Sequence, residues 1–245
     1  MSLVAPPELP AHLLDGVGPG DFWAVGQHTV GLLRKHARLG HTERVLDIGC
    51  GLGRVAWPLA QTLDSASTYD GFDTLDIYVA LCRQSLGLDK QRYRFHHFDL
   101  YSTLYNPTGT VRSEDFRFPW DDGAFTLAIA TSLFTHLTPE AATHYLREIA
   151  RTLEPGGRLY ATFFVLDDNA RALMAERPTD PDFRVAFAEG MYADAENPEA
   201  AVAFEGSWLL QQFISAGYRI DEYSPGIWRR NVGSEYQDVV VATKV

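Results

Sequence analysis

The chain has 245 residues, 46% of them hydrophobic and 22% charged, an ordinary globular balance that excludes wholesale disorder. Lys and Arg number 21 against 32 Asp and Glu. The resulting net charge of -11 excludes a general binder of phosphate backbones or of an anionic membrane, because both require clustered cations.

In chain order, residues 5–20 are rich in Pro and Gly and read as an irregular lead-in. Residues 27–39 place Val30, Leu33 and Ala37 at helical spacing before Gly40. Residues 44–48 are a short apolar strand that stops at a glycine cluster, and a helix follows from about Gly53 to Leu63. Pro58 is tolerated there only near the first turn. Residues 69–73 read as a second strand, 74–86 as a helix closed by Gly87, and 93–98 as a third strand. A long polar connection over 100–122 leads to a fourth strand at 125–131. Residues 139–153 form a helix with Thr138 as N-cap and Pro139 in its first turn. A tight turn at 154–157 precedes a fifth strand at 158–166. Residues 167–206 are an insertion of weak periodicity, with ten acids against Arg171, Arg177 and Arg184. A helix over 208–216 is followed by two consecutive strands, about 218–223 and 237–245, so the last strand is expected to be antiparallel.

This alternation predicts an α/β fold: a doubly wound, mostly parallel seven-stranded sheet with an antiparallel last strand and helices on both faces. The expected organisation is a single domain over 1–245, with an N-terminal helical lead-in at 1–42 and a lid-like insertion at 167–206. Ligands bind such sheets at the carboxyl ends of the strands. Two cysteines, Cys50 and Cys82, are too few for a disulfide framework or a cysteine zinc site, so no metal and a cytoplasmic setting are expected. No apolar run is long enough for a membrane span, and the first 30 residues lack a signal pattern.

The strongest motif is Val45-Leu46-Asp47-Ile48-Gly49-Cys50-Gly51-Leu52-Gly53, an apolar strand, an acid, and Gly-x-Gly-x-Gly opening a helix. The glycines let backbone approach a ligand and adopt positive φ. Gly51 through Ala56 also fit the dinucleotide pattern G-x-G-x-x-A. Asp47 weighs against that reading, because its carboxylate would repel a pyrophosphate while suiting an ammonium or sulfonium. Asp73 ends the second strand and can accept ribose hydroxyls. Asp99 follows the third strand and can accept from an adenine amino group, with Leu100 packing on the ring.

These acids and their spacing resemble the Rossmann-like S-adenosylmethionine-dependent methyltransferases, class I, from about residue 43 to 166 and again at 218–245. Asp47 to Gly53 matches the family's D-x-G-x-G-x-G signature, and Leu153-Glu154-Pro155-Gly156-Gly157 its L-x-P-G-G turn. The stretches Phe118-Pro119-Trp120-Asp121 and Thr131-Ser132-Leu133-Phe134-Thr135-His136 look like the fourth-strand region of the small-molecule branch. The resemblance implies that Gly49, Gly51 and Gly53 line the methionine and ribose portion of S-adenosylmethionine. Asp47 would sit near its amino group, and Thr131 and Ser132 would border its methyl group. Cys50, Asp73, Thr74, Asp99 and Leu100 complete the implied cofactor set, with S-adenosylhomocysteine as product.

The partner expected on the other side is a small-molecule methyl acceptor, methylated on oxygen or nitrogen. His136 follows the fourth strand and has an ordinary pKa suited to a general base, or it is a structural histidine bonded to backbone. His96 and His97 precede Asp99, and at least one of them packs. His28 lies on the N-terminal helix, and Asp21, Phe22 and Trp23 could close the cofactor mouth. The insertion's Phe183, Phe187, Met191, Tyr192 and Phe204 would suit a cover over an organic acceptor, or belong to a solvated helix pair. Nucleic acid is not expected as substrate: no N-P-P-Y-like tetrad follows the fourth strand, and Arg229-Arg230 is an isolated pair. Two alternatives stand beside methyl transfer, a non-catalytic or partner-binding member of the same fold and an NAD-dependent oxidoreductase.

Overall fold

A computed structural model describes residues 7–14, 20–229 and 235–245; Arg230 lies outside the described residues. The chain divides into two compact units, Met1–Phe98 and Asp99–Val245.

In the first unit, β1 (Arg44–Ile48), β2 (Thr68–Asp73) and β3 (Tyr93–His97) are parallel in the order β3-β2-β1, with Asp47 opposite Gly71 and Asp73 opposite His97. Val45, Leu46 and Ile48 are fully buried, the near-continuous apolar pattern of a strand covered on both faces. A single turn of helix, α1 (Ala11–Leu14), precedes α2 (Phe22–His36). The latter starts earlier than the apolar spacing alone predicts, because Asp21 caps it by accepting from the Ala24 N–H at 2.7 Å. The helix after the glycine cluster shortens to α3 (Ala56–Ala60), since residues 51–55 are turns. Next, α4 (Asp76–Ser85) begins two residues later than predicted, after Asp73 takes the Leu75 N–H at 2.9 Å.

In the second unit, β4 (Phe125–Ala130) is parallel to β5 (Leu153–Leu166), joined by α5 (Pro139–Thr152), with Thr138 capping as expected. The 154–157 turn lies inside the span of β5 as an irregularity. Pairing jumps from Phe125 opposite Leu153 to Leu127 opposite Arg158, and Gly156 takes φ +80°.

The insertion is neither loose nor a helix pair. Its α6 (Asp168–Glu176) leads into β6 (Val185–Phe187), β7 (Gly190–Tyr192) and β8 (Val202–Glu205); β6 and β7 form a hairpin, and β8 runs parallel to the end of β5. Phe183, Ala201, Ala203 and Ala170 bury themselves against Phe164, Leu166 and Trp228 in a small core of their own. Phe187 stacks on Tyr192 with centroids 4.1 Å apart. These aromatics extend the sheet. After α7 (Gly206–Ser215), β9 (Tyr218–Ser224) and β10 (Asp238–Lys244) are antiparallel, and β10 is antiparallel to β5, the reversed final strand that the consecutive pair predicts. Seven of the ten described strands are the expected ones; the other three come from the insertion.

One ionic cluster ties this unit together. The fully buried Arg229 donates to Asp167 at 2.8 Å and to Asp238 at 2.6 Å. Asp238 also accepts from the N–H groups of Gly226 and Val165 and from the Trp228 indole. Asp167 is in turn the N-cap of α6, so the cluster pins that helix to the start of β10. Among the described residues no helix is long and apolar enough to cross a membrane.

Candidate functional site

In the first unit the loop after β1 is built by its glycines. Gly49, Gly51 and Gly53 have φ of +72°, +52° and +76°, the left-handed region that favours glycine. The N–H groups of Gly49 and Cys50 both donate to the Phe72 carbonyl at 2.9 Å, which ties the loop to the end of β2. Asp73 finishes the arrangement: its two oxygens accept from Gly51 N–H and Leu75 N–H, each at 2.9 Å. That fixes the carboxylate plane, and a carboxylate has about four acceptor positions, so capacity is left for a hydroxyl. Burial pushes the Asp73 pKa up, against the pull of those amides. Thr74 follows at the turn into α4, half-buried.

The glycines differ in purpose. A Cβ on Gly53 would lie 2.5 Å from Leu86 Cδ1 and 3.3 Å from Cys82 Sγ, so this glycine serves packing. A Cβ on Gly51 would meet nothing within 4 Å, so its backbone borders open space that a ligand can approach closely. Cys82 Sγ donates to the Gly51 carbonyl at 3.3 Å, and burial pushes the Cys50 and Cys82 thiols well up, leaving both protonated.

Asp47 is 2% exposed and accepts a hydrogen bond from the Tyr69 hydroxyl at 2.7 Å. Burial raises its pKa to about 7, with Asp73's charge adding to the rise and the Tyr69 bond opposing it. Gly71, opposite Asp47 in the sheet, makes room for this contact, since a Cβ there would sit 2.7 Å from the Tyr69 hydroxyl. Sequence reasoning missed Tyr69 and Gly71. The signal was their i, i+2 spacing, which puts them on one face of β2. A buried carboxylate with a hydroxyl as its hydrogen-bond donor, beside an open glycine cradle and a ribose-type acid, fits an adenosyl ligand that carries ammonium and sulfonium charges.

Asp21 and Phe22 are structural at the start of α2. Phe22 is buried under the Arg54 guanidinium, 4.8 Å from its ring centroid, and Trp23 packs on Trp57. His96 Nε2 lies 2.8 Å from Asp70, which also holds Arg94 bidentately, so His96 belongs to an ionic cluster on β2 and β3. His97 lies 4.0 Å from Asp76, and His28 is exposed on α2.

In the second unit, Asp99 organises its own loop. It accepts from the Asn106 side-chain amide at 3.0 Å and from Thr110 N–H and Oγ1 at 3.1 and 2.7 Å; Leu100 beside it is buried. Beyond β4, Thr131 is half-buried and Ser132 takes φ +54°, an uncommon conformation for a residue with a side chain. It is held there by Thr162 and Gln237: Ser132 N–H donates to Thr162 Oγ1 at 2.7 Å, and Ser132 Oγ to Gln237 Oε1 at 3.1 Å. Strain of this kind concentrates at functional sites.

His136 Nδ1 lies 2.8 Å from the Glu199 carbonyl, and Nε2 lies 3.3 Å from the Tyr105 hydroxyl. Burial lowers its pKa against the upward pull of Glu199. Tyr105, Glu199 and Gln237 carry no local sequence signal, since each meets its partner across 31 to 105 residues of chain. No group of three or more His, Cys, Asp or Glu able to hold a metal occurs among the described residues.

Residues 45–157 match the family model described as a methyltransferase domain. Among solved structures, the chain resembles an S-adenosylmethionine-dependent methyltransferase from Methanosarcina mazei at 20% identity, with 86% of this chain and 97% of that one covered and a TM-score of 0.56. It resembles magnesium protoporphyrin IX methyltransferase from Synechocystis PCC 6803, solved with bound S-adenosylhomocysteine, at 17% identity over 93% and 90% of the two chains, TM-score 0.56. The cyclase SpnF shares the fold as well, at 21% identity over 89% and 81%, TM-score 0.58.

Proposed function

We propose that residues 45–157, which match the methyltransferase-domain model, are a Rossmann-like, S-adenosylmethionine-dependent methyltransferase, and that the chain methylates an oxygen or nitrogen of a small molecule. The observation that carries the proposal is the loop of the first unit: three left-handed glycines, one facing open space, between the buried Asp47 and the amide-oriented Asp73. When bound, S-adenosylmethionine supplies a methyl group already activated by a positive sulfur. The chain's own task is to hold the donor and keep the acceptor in line about 3–3.5 Å from the methyl carbon.

In this reading Gly49, Cys50, Gly51 and Gly53 receive the donor's backbone-facing side. Asp47 takes its ammonium, and Asp73, with Thr74, a ribose hydroxyl. Asp99, Leu100, Thr131 and Ser132 keep the roles that the family resemblance implies. His136 is the general base on the acceptor side, the 167–206 segment covers the acceptor, and the protein works in the cytoplasm as a single domain without nucleic acid as substrate. A second reading is favoured by one observation, the cyclase that shares this fold: the chain binds the adenosyl ligand but uses it for something other than methyl transfer.

Calorimetric titration with S-adenosylhomocysteine tests the first part. Binding in the micromolar range is expected, and Asp73→Ala should weaken it roughly 30- to 1000-fold if charge-assisted hydrogen bonds are lost. Absence of binding, or an unchanged affinity in the variant, refutes the cofactor assignment. Transfer of labelled methyl to a panel of small acceptors separates the two readings.

A further inference from the structure

We propose that Gln237 is a ligand-binding residue of the second unit, whose carboxamide N–H groups donate to a neutral carbonyl oxygen of a small organic molecule, a ketone or an amide. This site lies wholly in the second unit, and binding there goes beyond methyl transfer and does not depend on it.

The direction of the carboxamide follows from a chain of donors that can run only one way. Ser132 N–H can only donate, so Thr162 Oγ1 accepts it, at 2.7 Å. The single hydrogen of the Thr162 hydroxyl then donates to Gln237 Oε1 at 2.5 Å. The Ser132 hydroxyl donates to the same oxygen at 3.1 Å. Two donors fill the two lone pairs of Oε1 and hold the amide against a flip. Nε2, with two hydrogens, is left outside this network. Among the described residues it has no hydrogen-bond partner, and the side chain is only half-buried.

Three separate segments converge on this orientation. Ser132 follows β4, Thr162 lies on β5, and Gln237 immediately precedes β10, whose first residue, Asp238, stands opposite Phe163. The carboxyl end of β4 is where a parallel sheet presents its ligands. Ser132 takes part from φ +54°, and packing does not force it there, because the residue is exposed. A donor pair whose direction is fixed by two hydroxyls, and maintained at the cost of backbone strain, is preorganised for recognition.

Charge selects the kind of oxygen. The donors are neutral, and the carboxylates around them are several. Asp238 adjoins Gln237 in the chain and shares the single guanidinium of Arg229 with Asp167. Glu235 lies two residues before Gln237; after burial, its charge and that of Glu222 push the Tyr160 hydroxyl pKa up. An anionic oxygen at Nε2 would be repelled by these charges. A neutral carbonyl accepts the same hydrogen bond without that repulsion.

The probe is para-fluoroacetophenone, followed by fluorine NMR against the whole chain. Para-ethylfluorobenzene is the control of the same shape without the carbonyl, and para-fluorobenzoate the anionic one. Wild type should bind the ketone roughly two- to ten-fold more tightly than the ethyl compound, the worth of one neutral hydrogen bond, and more tightly than the benzoate. Gln237→Glu keeps an acceptor for both hydroxyls but has no N–H, so it should lose the preference for the ketone over the ethyl compound. Thr162→Val removes the hydroxyl that fixes the amide and should weaken the same preference; if Gln237→Glu does not fold, this variant decides. Equal binding of ketone and ethyl compound by wild type, tighter binding of the benzoate, or an undiminished preference in either folded variant overturns the assignment and leaves the cofactor reading untouched. Failure of S-adenosylhomocysteine to bind wild type removes the methyltransferase reading and leaves the Gln237 site standing.

Discussion

Replacing Asp47 by Asn should make the ligand-free protein more stable and the liganded protein weaker. The carboxylate is buried beside Asp73, and its pKa is raised from 3.8 to about 7 mainly by burial. An acid whose pKa is higher folded than unfolded binds more protons in the folded state between the two values. Its contribution to stability therefore declines as the pH rises from about 4 to about 7, and is at its lowest above 7. Each pKa unit corresponds to about 1.4 kcal/mol, so ionised Asp47 costs the empty protein up to about 4 kcal/mol at pH 8. Asn still accepts from the Tyr69 hydroxyl and carries no charge. At about 2–4 °C per kcal/mol for a chain of this size, thermal unfolding at pH 8 without ligand should move up by several degrees, and the gain should vanish near pH 4.

Binding has the opposite sign. A ligand ammonium needs the ionised carboxylate, so wild-type affinity for S-adenosylhomocysteine should fall roughly ten-fold from pH 8 to pH 6 as Asp47 takes up a proton. Asp47→Asn should bind roughly 10- to 150-fold more weakly at pH 8 and lose that pH dependence. A ligand-free Asn variant less stable than wild type at pH 8, or an undiminished pH dependence of binding, refutes the reasoning.

The two glycines of the loop should separate cleanly. Gly51→Val, whose Cβ meets no neighbour, should fold with a loss of roughly 1–2 kcal/mol from its positive φ yet abolish S-adenosylhomocysteine binding by calorimetry, whereas Gly53→Val should lose more stability through its clash with Leu86. Arg229→Met strands the buried Asp238 without its cation and should cost about 3–5 kcal/mol, roughly 6–20 °C by calorimetry. Ser132→Gly relieves a left-handed φ and should raise the unfolding temperature by the equivalent of up to about 1 kcal/mol, offset by the lost bond to Gln237, while slowing turnover.

Much of the fold could be read from the chain because its signals are local. The apolar run of β1, the glycines behind it, Thr138 before Pro139 and the consecutive strands at the end each act within a few residues. The places of Asp47, Asp73 and Asp99 were legible for the same reason, since each lies within two residues of the carboxyl end of a strand, where parallel sheets face ligands. The insertion was not: β6, β7 and β8 have three or four residues each, too few to show a period, and they are strands because β8 pairs with β5. Nor was the state of Asp47, which depends on the register that sets it opposite Gly71 within reach of Tyr69. Local propensity and spacing thus determined which segments are strands and helices and where the glycine loop and its acids fall. Tertiary structure alone decided that Asp47 is buried with a hydroxyl as its hydrogen-bond donor, that His136 carries its proton on Nδ1, and that Arg229 sits between two carboxylates. Burial and hydrogen bonding across tens of residues set charge and tautomer, and no window of sequence contains them.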